Sequence, residues 1–189
     1  MEYFDPIKHR SEVDFVKTNP SRYDHLYQDE SIFPFWIADM DFKVAPCIRE
    51  SIKKLGDRGV FAYEYNMSKL YGAISGWFQR RHQLDLNPEC FVQVNGVLTG
   101  IALLIRLYSN TRDGVIINSP VYHMFAHTIR SNKRKVIDNP LHLDTETGEF
   151  SFDFEELERK MSEENNKIFL LCNPHNPVGK VWTKEQLQR

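Results

Sequence analysis

Short strand-type runs separated by segments of helical spacing constrain this chain more than any other feature. VIIN at Val115 to Asn118, RKVID at Arg134 to Asp138 and KIFLLC at Lys167 to Cys172 are too short for helices and rich in branched side chains. Between and before them, apolar residues recur every three or four positions. Val44, Ile48, Ile52 and Leu55 predict a helix with Pro46 in its first turn and Gly56 as its C-cap, and Leu70, Ile74 and Trp77 predict a second. FVQV at Phe91 to Val94 is expected as a strand, with helices at Gly100 to Tyr108 and Tyr122 to Arg130. Thr147-Gly148 marks a turn, and Asp153 with Glu156 caps a helix carrying Phe154, Leu157 and Met161. Parallel strands need crossovers and helices supply them, so the expected fold is α/β: three layers, with a mostly parallel sheet covered by helices.

In such sheets ligands sit beyond the carboxyl ends of the strands, where three strings of this chain fall. Asn95-Gly96-Val97-Leu98 opens a helix whose unpaired N–H groups and dipole suit a phosphate, with Gly96 admitting close approach and Thr99 a candidate hydroxyl donor. Taken alone, one glycine there marks only a turn. Tyr122 follows VIIN and Pro120, and by position alone a tyrosine there is a core or interface residue. LLCNPHNPVGKVW, Leu170 to Trp182, turns an apolar run into a polar loop. Pro174 and Pro177 fix φ and push Asn173 and Asn176 out of the α region.

The full string N-P-H-N-P-V-G-K resembles the asparagine motif of the pyridoxal-phosphate enzymes of fold-type I, the aminotransferase class I and II superfamily. FPFWIADMDF at Phe33 to Phe42 is similar to the signature of one branch, the cystathionine β-lyase and cysteine-S-conjugate β-lyase group. GVFAY at Gly59 to Tyr63, VNGVLTGI at Val94 to Ile101 and SPVYHMF at Ser119 to Phe125 follow in family order, so the resemblance runs from Phe33 to the last residue.

The resemblance implies a pyridoxal 5'-phosphate cofactor held by Gly96, Val97, Leu98, Tyr122, Asn176 and Tyr63. Tyr122 would stack on the pyridine ring, Asn176 would bond its 3'-oxygen and Asn173 would serve the turn. Tyr63 would reach the cofactor phosphate of a partner protomer, which implies a homodimer, although Ala62 stands where glycine is more usual. Ile37 and Ala38 would line the substrate site near the α-carboxylate of an amino acid, a place that Asp39 and Asp41 claim only by being acidic. The Schiff-base lysine, the acidic partner of the ring nitrogen and the carboxylate-binding arginine are expected downstream of Arg189, so neither Lys69 nor Lys180 is assigned as catalytic. The implied activity is carbon-sulfur β-elimination, giving a thiol, pyruvate and ammonia. An aminotransferase, or a non-catalytic regulatory protein on the same scaffold, is the alternative.

Residues 1–45 are expected to join a small domain and 46–189 to begin the large, cofactor-binding one. Thr183 with Gln186 opens a helix that has little chain left to build it, so a fragment of a longer protein, inactive alone, is expected. With 41% hydrophobic and 26% charged residues and formal net charge −2, nothing favours nucleic acid or an anionic membrane. A polar start and the lack of a long apolar run point to the cytoplasm. Cys47, Cys90 and Cys172 are odd in number and widely spaced, which predicts reduced, mostly buried thiols. His123 and His127 stand four apart without a third ligand, so no metal site is expected.

Overall fold

A computed structural model describes residues 15–19, 21, 36–63 and 67–189. They divide into two compact units, Met1–Met67 and Ser68–Arg189.

In the first unit a short 3-10 turn, Val16–Thr18, precedes helix α1, Pro46–Arg58. Pro46 opens α1, as its fixed φ and missing N–H dictate. The C-cap is not Gly56 as the sequence suggested. Gly59 adopts the left-handed conformation, φ 66°, and donates its N–H to the Gly56 carbonyl, so the helix runs through Gly56 and ends one turn later.

The second unit begins with α2, Ser68–His82. The expected strand Phe91 to Val94 does not form. Phe91 has extended torsions and its ring stacks on Tyr71 at 5.0 Å, yet a strand needs a hydrogen-bonded neighbour, and residues 91–94 belong to no ladder among the described residues. Then follow α3, Val97–Tyr108, and strand β1, Gly114–Ile117. Helix α4, His123–Ser131, crosses to β2, Lys135–Asp138. The short antiparallel pair β3, His142–Leu143, and β4, Phe150–Ser151, was not legible as strands. Asp144 and Gly148, at φ 73°, close its turn. Helix α5, Phe154–Met161, starts where Asp153 accepts the Glu156 N–H, and β5, Asn166–Phe169, and α6, Lys184–Gln188, complete the unit.

The sheet is parallel in the order β2-β1-β5, so β1 lies between two neighbours and is buried along its length. Val115 and Ile117 face Ile105 of α3 and Ile129 of α4, with Ile168 and Leu170 packed beside them. Each fully buried branched side chain of this kind contributes roughly 1.5–3 kcal/mol. Phe169 turns to the other face, where Leu141, Phe152 and Trp182 form a second cluster, Phe152 and Trp182 having ring centroids 4.0 Å apart. Two helices on one face, with the hairpin, α5 and Trp182 on the other, make the three layers expected. An irregularity divides the β1–β5 ladder: Gly114 pairs with Asn166 but Val115 pairs with Ile168, so Lys167 is an extra residue.

The three cysteines are free thiols, but not the buried ones expected. Cys47 and Cys90 are exposed and Cys172 is half-buried. Cys47 rides on α1, which buries none of its residues within this chain, and Cys90 ends a 3-10 turn with no buried residue. Among the described residues no helix is long and apolar enough to cross a membrane.

Candidate functional site

Topology decides where a ligand can sit. The chain leaves β1 to form α4 on one face of the sheet, whereas it leaves β5 toward Trp182 on the other. Neighbouring strands whose connections part in this way open a crevice at their carboxyl ends. The segments 118–122 and 170–176 emerge there. Helix α3 runs antiparallel to β1, because its C-terminus feeds that strand, so its N-terminus points toward the same end of the sheet.

At that N-terminus Gly96 is the N-cap, with φ 89°, and no side chain caps the helix. The N–H groups of a first turn have no intrahelical partners, so Val97 and Leu98 present their amides outward. A Cβ on Gly96 would meet no atom within 4 Å, so glycine is required by its backbone torsion and the space above it stays open. Thr99 does not offer its proton to a ligand here, because its hydroxyl donates to the Asn95 carbonyl at 2.8 Å.

The segment after β1 is strongly tied. The Ser119 hydroxyl donates to Asp138 at 2.6 Å and its N–H to the same carboxylate at 3.0 Å, while buried Asn118 donates its amide to the Asn139 carbonyl. Tyr122, half-buried, is the N-cap of α4 rather than a residue within it. Its ring meets His123 and Phe125 edge-on, at 5.1 and 5.8 Å, and neither contact is a parallel stack.

After β5 the Asn-Pro string folds into a tight turn. The His175 N–H donates to the Lys180 carbonyl and the Gly179 N–H to the His175 carbonyl, both at 2.7 Å, with Gly179 at φ 71°. Asn173 accepts the Trp182 N–H at 3.2 Å, so it serves the turn, and the Trp182 indole donates to the Cys172 carbonyl at 3.0 Å. Asn176 is exposed at the tip, its N–H directed at the Cys172 sulfur at 3.5 Å. Next to it His175 is almost fully buried, and its Nε2 lies 3.1 Å from the Pro120 carbonyl. The sequence reading passed over His175, since a polar loop gives no local sign of burial. Lys180 is engaged elsewhere, its ammonium 2.9 Å from Glu149.

The other expected site residues lie in the first unit. Tyr63 is fully exposed, Ile37 is half-buried and Ala38 is exposed. Phe33 to Phe35 of the FPFWIADMDF string lie outside the described residues. The remainder of that string is anchored by a residue the sequence did not single out. Lys17, 3% exposed, donates to the Asp39 carbonyl at 2.9 Å and pairs with Asp41 at 3.3 Å, while the Trp36 indole donates to the Lys17 carbonyl at 3.0 Å. Asp41 is thereby committed to a half-buried ion pair.

An open helix N-terminus, an aromatic N-cap and an exposed amide thus stand at the carboxyl end of one parallel sheet in an α/β protein. The chain belongs to the aminotransferase class I and II family, whose profile matches residues 32–189. It is 38% identical over 162 residues to cystathionine beta-lyase PatB of Bacillus subtilis (strain 168), covering 86% of this chain and 41% of that protein. To Protein MalY of Escherichia coli (strain K12) it is 36% identical over 158 residues, covering 83% of this chain and 40% of that protein. Among solved structures, cystalysin from Treponema denticola, which contains a pyridoxal 5'-phosphate cofactor, matches with TM-score 0.85 and 31% identity over 98% of this chain and 46% of its own. The chain therefore spans under half the length of each of these relatives.

Proposed function

We propose that this chain forms part of a pyridoxal-phosphate-dependent carbon-sulfur β-lyase acting on an amino acid such as cystathionine, in the cytoplasm and as a homodimer. The observation that carries the reading is the lyase identity of the relatives, joined to a strand-end site whose open parts fit the cofactor. When bound, pyridoxal phosphate supplies an electron sink that lets the α-carbon lose its proton and the β-sulfur depart.

The chain's own residues hold and orient. Val97 and Leu98 amides, with Gly96 giving access, bind the phosphate through N–H groups that the helix cannot use. Tyr122 restrains the ring plane, its neighbours Pro120 and His123 fixing its entry to α4. Asn176 donates to the ring 3'-oxygen from its exposed position and so sets the charge there. Tyr63, with no surface covered in its own chain, reaches the phosphate of the partner protomer, and Ile37 and Ala38 face the α-carboxylate. Residues 1–45 are assigned to the small domain and 46–189 to the large, cofactor-binding one.

The test is a titration of the protein carrying this chain with pyridoxal phosphate, followed by cystathionine. Saturable binding weakened by Tyr122→Ala, and release of pyruvate, are expected. Tight cofactor binding with amino-group transfer to a 2-oxo acid and no pyruvate would instead identify an aminotransferase.

A further inference from the structure

We infer that His175 is a positioning residue: its side chain ties the loop bearing Asn176 to the loop bearing Tyr122 and so sets the gap between the two groups that hold the ring. This rests on the cofactor reading above.

The hydrogen bonds of the sheet end before the site does. Leu170 donates to Ile116 at 2.9 Å, and after that rung the continuations of β1 and β5 separate. On its other side the β1 continuation is still held, by Asn139 donating to Ile117, Leu141 to Ser119, and Ser119 to Asp138. Toward β5 the corresponding link is the His175 ring. A proline carbonyl can only accept, so the 3.1 Å contact fixes the proton on Nε2 and makes the imidazole the donor to Pro120. The bond closes 55 residues of chain, one residue before Asn176 and two before Tyr122.

The ring has little freedom to let go. It is 1% exposed and sits edge-on to Trp182 at 5.5 Å, while its backbone is held on both sides by Lys180 and Gly179. Nδ1 is buried and finds no partner among the described residues, so Nε2 is the anchoring atom. Burial of an imidazole with one nitrogen unpaired is unfavourable, and a purely structural position would be filled more simply by an apolar ring.

The experiment compares His175→Phe, which keeps ring volume without a donor, with His175→Gln, which keeps an N–H. Backbone amide exchange is measured without cofactor. His175→Phe should speed exchange at Val121 and Tyr122 and at Asn176 and Val178 together, by about two- to twelvefold, the factor of one lost hydrogen bond, and leave Val115 to Ile117 unchanged. The Gln variant should return both loops toward the unmutated rates, and the pyridoxal-phosphate dissociation constant should follow the same order. Exchange that rises only at 175–180, or at neither loop, overturns the inference. If the variants fail to fold, 15N-labelled histidine in the unmutated protein decides it: a His175 ring carrying its proton on Nδ1 alone has no bond to Pro120. Coupled exchange in a protein that takes up no pyridoxal phosphate sinks the cofactor reading and the positioning role with it, whereas unchanged exchange with normal uptake sinks the positioning role alone.

Discussion

The Asn173 side chain accepts the backbone N–H of Trp182 at 3.2 Å, joining the start of the Asn-Pro turn to the residue that plugs the lower core. The two asparagines of the turn therefore divide its work. Asn173→Ala leaves a buried N–H unpaired and should cost about 1–3 kcal/mol of stability in a urea unfolding curve, whereas exposed Asn176→Ala should stay within about 0.5 kcal/mol of the parent. A loss of equal size in both would show that the turn, not the ligand, needs Asn176.

Trp182→Ala should be among the most damaging single changes. The indole packs on Phe152 and donates to Cys172, and large-to-small changes at such sites cost roughly 3–5 kcal/mol. Thermal unfolding would show it, and a shift of a degree or less would mean that the second cluster contributes little.

Gly114→Ala tests close packing at the foot of the sheet. A Cβ there would run into Asn166 Oδ1 and Ile137 Cγ1, and Asn166 cannot swing away without breaking its bond to the Lys160 carbonyl at 2.8 Å. A cost of about 1–3 kcal/mol is expected. Gly96→Ala meets no neighbour, so its cost comes only from the φ of 89°, and its larger effect should be on phosphate binding.

These contrasts separate what was legible in the sequence from what was not. Helix starts at Asp153 and Thr183 were legible because capping is decided within three residues, and both bonds are present. The parallel sheet was legible from alternation. Two glycines three apart, Gly56 and Gly59, carry the same local signal, and only the backbone torsion tells which one ends α1. Phe91 to Val94 has strand composition but, among the described residues, no neighbour that would make it a strand. Gly96, Tyr122 and Asn176 are expectations drawn from motifs, while His175 and Lys17 carry no local signal because their importance lies in burial and in partners 55 and 22 residues away.

A pH-dependent stability term should come from α5. Hydrogen bonds from Arg159, then from Lys160, hold the Glu156 carboxyl down at about 2 against an ordinary 4.5. A lowered folded-state pKa favours the folded chain above the unfolded value, so the contribution is complete above about pH 4.5 and fades as pH falls toward 2. Glu156→Gln should thus differ from the parent near neutrality and converge with it in acid. Because the pair is exposed, the difference should shrink in salt. A difference that persists at pH 2 would assign it to packing.

Lys167, the supernumerary residue of β5, sets the phase of everything that follows it. Had the same sequence paired without that offset, Val115 would face Lys167, an ammonium would point at Ile105 and Ile129, and Ile168 would exchange sides with Phe169. The same half-period slip would carry the Asn-Pro loop forward by about 3.3 Å along the strand axis. The alignment of the ligand end of the sheet is thus inherited from an offset at its opposite end: deleting Lys167 would close the offset and keep Val115 against Ile168, whereas filling the ladder with Lys167 in place would misalign the site.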